Sequence, residues 1–423
     1  MSLLETPEAQ ALLDDTVVEA EAVRACRRRL TAFLQRYLPL FYRKEQAHNA
    51  GIVIAGLLSD LERKTCEPIA RREGVERKPI QFFVGGGKWD DEAVMAELRT
   101  HVVEEFADPH GILVLDGSGF PKKGHASCGV KRQWCGRLGK VENCQVGVFL
   151  CYATAQGCAI MDRRLFLPEE WATDAARREQ TYVPPDVPFR TKLQIAEEML
   201  AAHGAALPHQ WITGDDDFGR SAPFRAGLRA RGEHYVLDVP CDTLIRDLER
   251  RRPPRLRRKG GRKRETPFCR ADAWAQRQAP TRWERLHVSD GEKGPHDVLA
   301  MCVRVRARHD QRVGDEERLV VIRTVEAEPR TTYALSNASP EVPLAALVRV
   351  VCQRHRIEET FEAAKGEVGL HQYEVRSWTG WHHHFTLCLV ALLFLTLERR
   401  RLGEKIARGD SATDAPPLLA AAS

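Results

Sequence analysis

The sequence has no apolar run of bilayer-spanning length. Its longest, FTLCLVALLFLTL from Phe385 to Leu397, is shorter than the roughly 20 residues a spanning helix needs, so it reads as a buried helix and no membrane partner is expected. No basic segment followed by an apolar stretch stands at the N-terminus, where MSLLETPEAQALLDD is acidic. No secretory leader is therefore expected, and the reading is a cytoplasmic protein with its twelve cysteines held as reduced thiols. Compact zinc spacing is also missing. Cys128, Cys135 and Cys144 lie seven and nine residues apart, which matches no short metal motif, so the WHHH at Trp381 carries no zinc reading. GGGKWDD, beginning at Gly85, lacks the spaced glycines and the Lys-Ser/Thr of a phosphate loop, which argues against a nucleotide cofactor. No internal repeat is present, and an excess of one charge is nearly absent at a net +5.

The composition that remains, 43% hydrophobic and 29% charged over 423 residues, is that of a globular chain with more than one packed unit. Charge is concentrated in RRRPPRLRRKGGRKR, where ten of the fifteen residues from Arg250 to Arg264 are basic. Pro and Gly pairs prevent a continuous helix there. Such a run is either a solvated loop or a grip on a polyanion.

Periodicity divides the chain. Residues 1–105 read as helices, with apolar positions three and four apart. Residues 106–240 begin with GILVLDGSG and alternate strands and helices in the order β, β, β, α, β, α, β, which describes a mixed sheet flanked by helices. Residues 241–330 hold the basic run and then DVLAMCVRVRARHD and ERLVVIRTVEA, a β-rich insertion. Residues 331–402 resume the helical pattern from Pro343, which suits a first helical turn. Residues 403–423 are small, polar and Pro-containing, as expected of a frayed tail.

Carboxylates close several of these elements. Asp116 ends ILVLD and Asp215 ends QWITGD, positions where an ordinary turn or helix cap is the plain alternative. In GDDDFGRS, Asp216 and Asp217 suit turn or capping roles, and either Asp217 or Ser221 could cap the following helix. The late segment RHRIEETFEAAKGEVGL offers Glu358, Glu359, Glu362 and Glu367. Glu358 sits at the border of the apolar stripe that includes Ile357, Phe361 and Ala364, and Arg354, Glu358 and Lys365 fall on one side of a continuous helix. That set is either an ion-pair ladder or a carboxylate between two phosphate-binding cations. Two strand-end aspartates and a helical glutamate supply the hard oxygen donors that paired Mg²⁺ ions prefer, and such a site cleaves phosphodiesters without a nucleophilic side chain.

The stretches LVLDGSGFPKKGHASCGVKRQWCGRLGKVENCQVGVFLCYAT, ITGDDDFGRS and RIEETFEAAKGEVGLHQYEVRSWTGWHHH together resemble the three acidic motifs of DDE transposases from bacterial insertion sequences. The resemblance is closest to the insertion-sequence-701 group of the insertion-sequence-four superfamily, over about Phe41 to Arg400. It implies an RNase H-like α/β domain interrupted by a β-rich insertion, with an N-terminal helical region that binds transposon ends. It further implies Mg²⁺ as cofactor with Mn²⁺ able to substitute, double-stranded DNA as partner (terminal inverted repeats and target), and a homodimer on paired ends. Matched residue by residue, the catalytic, metal-binding set falls on Asp116, Asp215 and Glu358. Gly117 stands where relatives often carry a second Asp, and Asp215 lies three positions before the Phe218-Gly219 pair. The third motif, Tyr, two residues, Arg, three residues, Glu, six residues, Lys, gives Arg354, Glu358 and Lys365. Val351 replaces the Tyr, which removes one phosphate-contacting hydroxyl. Lys122, Lys123, Lys131 and Arg132, which closely follow the first motif, are either DNA contacts or exposed loop charges, and Arg257, Arg258, Lys259, Arg262, Lys263 and Arg264 are the expected DNA contacts if the basic run is a grip on DNA. The expected activity is cleavage at element ends and joining of 3′ ends to target. The alternatives are a catalytically idle DNA-binding descendant or a nuclease without strand transfer.

Overall fold

The computed structural model describes residues 20–250, 266–291, 294–309, 312–326 and 328–402. Five helices open the described chain: α1 (Ala20–Leu34), α2 (Lys44–Leu57), α3 (Cys66–Arg72), α4 (Arg77–Gly85) and α5 (Asp91–Phe106). Strands β1 (Ile112–Pro121), β2 (Lys131–Cys135), β3 (Lys140–Thr154) and β4 (Gly157–Leu165) follow, then α6 (Glu169–Ala172), α7 (Ala175–Gln180) and α8 (Lys192–His203). The chain continues through β5 (Trp211–Gly214), α9 (Asp216–Gly219), α10 (Ala222–Ala230), β6 (Tyr235–Asp238), β7 (Leu244–Asp247), β8 (Cys269–Arg270) and α11 (Ala271–Ala275). Strands β9 (Glu284–Gly291), β10 (Gly294–His309), β11 (Arg312–Thr324) and β12 (Thr331–Ser336) precede the last helices, α12 (Leu344–Gln353), α13 (His355–Gly366) and α14 (Trp378–Leu402).

Packing groups these elements into two compact units. Among the described residues, one comprises 20–107, 117–199 and 358–402, and the other 108–116 and those between 200 and 357. Strand β1 contributes its first half to the second unit and its remainder to the first.

In the first unit α14 is the organising element. It is apolar on all sides and packs on β4, α1, α2, α4 and α5, as a helix without a polar face must. The helix extends well beyond the apolar run that marks it in the sequence. It is long and apolar enough to cross a membrane, but 89% of its most apolar window is buried within the protein. Arg163 on β4 is fully buried and compensated. It pairs with Asp91 at the start of α5 and donates to Thr386 Oγ1 of α14 at 2.7 Å. The same helix buries His382, His383 and His384. Burial pushes all three imidazoles down, His384 to about 4, and His383 stacks on Trp89 at 3.8 Å between centroids. These histidines therefore pack the core.

The second unit is built on a mixed sheet in the order β1-β5-β6-β12-β11-β10-β7-β8, with β9 also paired to β10. The first three strands are parallel and the rest antiparallel. The strands read from sequence as a separate β-rich insertion are thus hydrogen-bonded into the same sheet, because β12 pairs with β6. Strand β10 alternates buried Met301, Val303, Val305 and Ala307 with Cys302, Arg304 and Arg306. Its apolar face closes under α11 through Trp274, whose Nε1 donates to Asp247 at 2.9 Å. The basic run from residue 251 to 264, with its six expected contacts, lies outside the described residues, as does the tail.

Candidate active site

The three parallel strands carry carboxylates at matched positions, at the ends of β5 and β6 and midway along β1, which continues past Asp116 instead of ending there as the sequence suggests. Leu115 is matched to Gly214 across β1 and β5, and Gly214 to Leu237 across β5 and β6. The next residue on each strand is Asp116, Asp215 and Asp238. Neighbouring strands lie about 4.8 Å apart, so the three aspartates form a row along the carboxyl edge. Apolar residues hold each strand in the core up to its carboxylate; β5 and β6 end there, whereas β1 runs on to Pro121 beyond Asp116, and Asp116 and Asp215 are half-buried while Asp238 is buried.

The turn after β5 explains the spelling DDDFG. Asp215 caps α9, its Oδ1 accepting from Asp217 N at 3.0 Å. Asp216 and Asp217 form that helix's first turn, with Asp216 paired to Arg220 at 2.6 Å, and Ser221 caps α10 by accepting from Phe224 N at 3.3 Å. Phe218 is buried, and Gly219 lies against the end of β6 so closely that a Cβ there would stand 1.8 Å from the Asp238 carbonyl oxygen. The Gly219 carbonyl in turn accepts from Arg225, whose Nε pairs with buried Glu317 at 2.8 Å, itself an acceptor from Tyr235 Oη at 2.6 Å. Gly219→Ala must move backbone, which costs about 2 kcal/mol or more. A fall in Tm of about 5 °C is expected by thermal denaturation, and an unchanged Tm would show that the turn is not rigid.

Electrostatics separate these carboxylates from ordinary surface acids. Burial, with the charges of Asp217 and Asp216, pushes the Asp215 carboxyl up to about 6. Burial also raises Asp238 to about 6, opposed by Arg354 and assisted by Asp215 and Asp216. Arg354 Nε lies 3.0 Å from Asp238 Oδ2, while Oδ1 is buried and accepts no hydrogen bond among the described residues. Asp238 is not among the candidates read from the sequence. The signal is present there, since YVLD ends a strand as ILVLD and WITGD do.

Arg354 is placed differently from the one-helix reading. The segment 344–366 is two helices, and Arg354 is the junction. Its N–H bonds Val351 O and its carbonyl accepts from Ile357 N, both over three residues, so the four-residue ladder is interrupted there. Glu358 and Lys365 do share α13. Glu358 stands in its first turn with an exposed side chain, between buried Ile357 and Phe361, and Lys365 Nζ lies 5.3 Å from the Phe361 ring centroid. Glu359 is exposed, as is Glu362, and Val351 is buried. Glu358 belongs to the first unit and the row of aspartates to the second.

Of the basic candidates after the first motif, Lys123 and Arg132 are exposed and Lys131 pairs with Glu170 at 3.0 Å. Lys122 is turned inward. Its Nζ donates to Tyr373 O at 2.9 Å, and burial pushes its ammonium down to about 7.

Carboxylate oxygens are the hard donors that Mg²⁺ selects, and the raised Asp215 and Asp238 mark negative charge that a cation would relieve. No group of three or more His, Cys, Asp or Glu is gathered as a ready cage among the described residues. Mg²⁺ does not require one. It binds through one or two carboxylates, with water and substrate phosphate completing its octahedron. Asp116 and Asp215 fit that demand.

A mixed sheet flanked by helices, with aspartates at matched positions of adjacent parallel strands, defines an RNase H-like nuclease framework. Residues 36–295 match the family model described as DDE superfamily endonuclease, and the chain belongs to that family. The matched range includes Asp116 and Asp215 and ends before Glu358. Endonucleases of this superfamily generally use divalent metal ions. The chain is also 34% identical over 94 residues to a probable transposase for insertion sequence element IS701 from Microchaete diplosiphon, a stretch that covers 22% of this chain and 25% of that relative.

Proposed function

We propose that this protein is a DNA transposase that cuts at the ends of an insertion sequence and joins the freed 3′ ends to target DNA. The observation that carries the reading is the pair Asp116 and Asp215, set side by side by strand register in a chain of the DDE endonuclease family. When bound, Mg²⁺ or Mn²⁺ would activate the attacking water or 3′-hydroxyl and stabilise the departing oxygen. Asp116 and Asp215 would hold it, with Glu358 as the third carboxylate. Asp215 is fixed by its own cap to α9, so its second oxygen can serve a ligand without the side chain reorganising. Arg354 and Lys365 would bind the phosphates on either side of the scissile bond, and Lys123, Lys131, Arg132 and the 257–264 run would neutralise flanking phosphates. Lys122 would join them only by leaving its internal acceptor. The 1–105 region would contribute to end binding, and two copies would pair two ends.

The test is incubation with Mg²⁺ and DNA carrying the inverted repeats that flank the gene. Nicked ends together with joined target product are expected. Cleavage without joining would reduce the protein to a nuclease, and binding without cleavage to an idle descendant.

A further inference from the structure

Three of the large apolar side chains exposed on this protein stand within eight residues of one another: Trp134 at 59% exposure, Leu138 at 42% and Val141 at 51%. They belong to the ribbon formed by β2 and β3, which is antiparallel and turns through residues 136–139. Trp134 and Val141 are directly opposed in its register, so their side chains lie together on one face, and Arg132, opposed to Asn143, continues that face. Arg137 and Lys140 stand exposed at the turn. The other face carries Gln133 and Cys135 with the residues opposed to them, Glu142 and Lys140, which pair at 3.3 Å, and Cys135 packs with Cys144 and Val146 in a small core. The ribbon is thus anchored from one side and presents an apolar pair among cations on the other.

A tryptophan left in water on a terminal strand is an association hazard, and folding does not need it there. Arg132 on this face and Arg137 at the turn would oppose its self-pairing and favour an anionic partner with its own apolar surface. Nucleic acid supplies both, in phosphates and base faces, and a two-stranded ribbon fits a DNA groove. We infer that the β2–β3 ribbon enters duplex DNA, with Trp134 and Val141 pressed against the bases and Arg132 and Arg137 on the adjoining phosphates. This deepens the transposase reading and rests on it for the identity of the natural DNA. The apolar pair would loosen a base step, because an inserted side chain unstacks its neighbours.

The two kinds of contact differ in salt dependence, and the experiment reads that difference. Binding of two duplexes of about three helical turns, one carrying the terminal repeat and one of unrelated sequence, is measured by fluorescence anisotropy over a salt series. Trp134→Ala is expected to raise Kd about tenfold on the repeat, the effect of losing one aromatic stack, with the slope against log salt unchanged. Trp134→Phe should recover most of the loss. Arg132→Gln and Arg137→Gln should each lower the slope by about one, and Lys140→Gln, on the opposite face and paired to Glu142, should leave it unchanged. A 2-aminopurine in the repeat should brighten with the wild type and stay dark with Trp134→Ala. The side chain is exposed, so an unchanged Tm for the variant is expected and confirms that the fold is intact. Unchanged affinity and 2-aminopurine signal in Trp134→Ala would overturn the inference while leaving normal cleavage, and so the transposase reading, standing. An altered oligomeric state with unchanged DNA affinity would overturn it in favour of a protein partner. A Trp134 effect on both duplexes without cleavage of either would sustain the ribbon contact and sink the transposase.

Discussion

Asp116→Ala and Asp215→Ala should each reduce cleavage of end DNA by about a thousandfold, the scale of losing one preorganised group that stabilises transition-state charge, while DNA affinity is expected to stay near that of the wild type. Register explains why the two should fail alike. Each carboxylate follows a residue of one matched set, so each contributes one donor from an adjacent strand, and neither can substitute for the other. Binding is spared because the affinity of a DNA-binding protein is dominated by cations on phosphates. Glu358→Ala should fall as far, and Glu359→Ala and Glu362→Ala should cut within about threefold of wild type, since surface carboxylates without a specific task are tolerated. Gel-based cleavage and anisotropy on the same repeat decide it. A fully active Asp116→Ala or Asp215→Ala would remove that residue from chemistry, and a loss in Glu362→Ala equal to that in Glu358→Ala would mean the wrong face of α13 was chosen. Asp238→Asn is the informative companion. A loss as deep as that of Asp215→Ala would place a third strand-end aspartate in the machinery, and a mild loss would confine Asp238 to holding Arg354.

Without divalent metal, stability should decline as pH rises from about 4 to about 6. The folded state raises Asp215 and Asp238 to about 6, above an unfolded value near 3.8. Between those values the native protein binds more protons than the unfolded chain, so ΔG of unfolding falls with increasing pH. Below the window both states are protonated and the native carboxyls cost nothing. Above it their charge is held at a penalty, on the order of 1.4 kcal/mol for each tenfold weakening of the acid. The two groups share one neighbourhood, so their penalties do not simply add. A cation bound at the charged row removes the penalty. Millimolar Mg²⁺ or Mn²⁺ well above pH 6 should therefore raise Tm and flatten the pH dependence, and chelation should restore it. Calorimetry across this range tests the point, and a Tm indifferent to both pH and metal would show that the aspartates carry no excess charge. Asp215→Asn should raise the metal-free Tm in the same alkaline range and abolish the metal increment.

The parallel strands are legible in the sequence because ILVLD, WITG and YVLD are short apolar runs closed by turn-forming residues. The site's first two aspartates are legible for the same reason, sharpened by the resemblance of their motifs. What escapes a reading of the sequence has a physical cause in each case. KRQWC, half charged and bordered by glycine, does not alternate as a half-buried strand does, because its outer face carries Arg132 and Trp134. AGIVIAGLLSDLERKTCEPIARREG reads as one helix, yet α2 stops at Leu57 and α3 starts at Cys66, with Ser59 Oγ donating to the Gly56 carbonyl at 2.6 Å across the exit. The break at Arg354 has no Pro or Gly to announce it, and its surroundings favour helix throughout. Only the ion pair to Asp238, a contact between residues far apart in sequence, distinguishes that position. Asp238 itself is easily passed over, because a strand-end aspartate resembles a turn until its neighbours across the sheet are known.

The common register of Leu115, Gly214 and Leu237 bears on how this chain can change length. Strand side chains alternate faces with a period of two. Removing or adding a single residue within β1, β5 or β6 would turn the carboxylate at its end to the opposite side of the sheet, and the row would lose a member although every aspartate remained in the sequence. The connections between these strands carry no such constraint. The turns around α8 and the turn after α10 can lengthen while the matched positions stay in step, whereas the turn before α10 is held by the close packing of Gly219 on β6. Length variation among functional descendants should therefore collect in the connections and leave the spans Ile112–Asp116, Trp211–Asp215 and Tyr235–Asp238 at fixed length, whatever substitutions they accept.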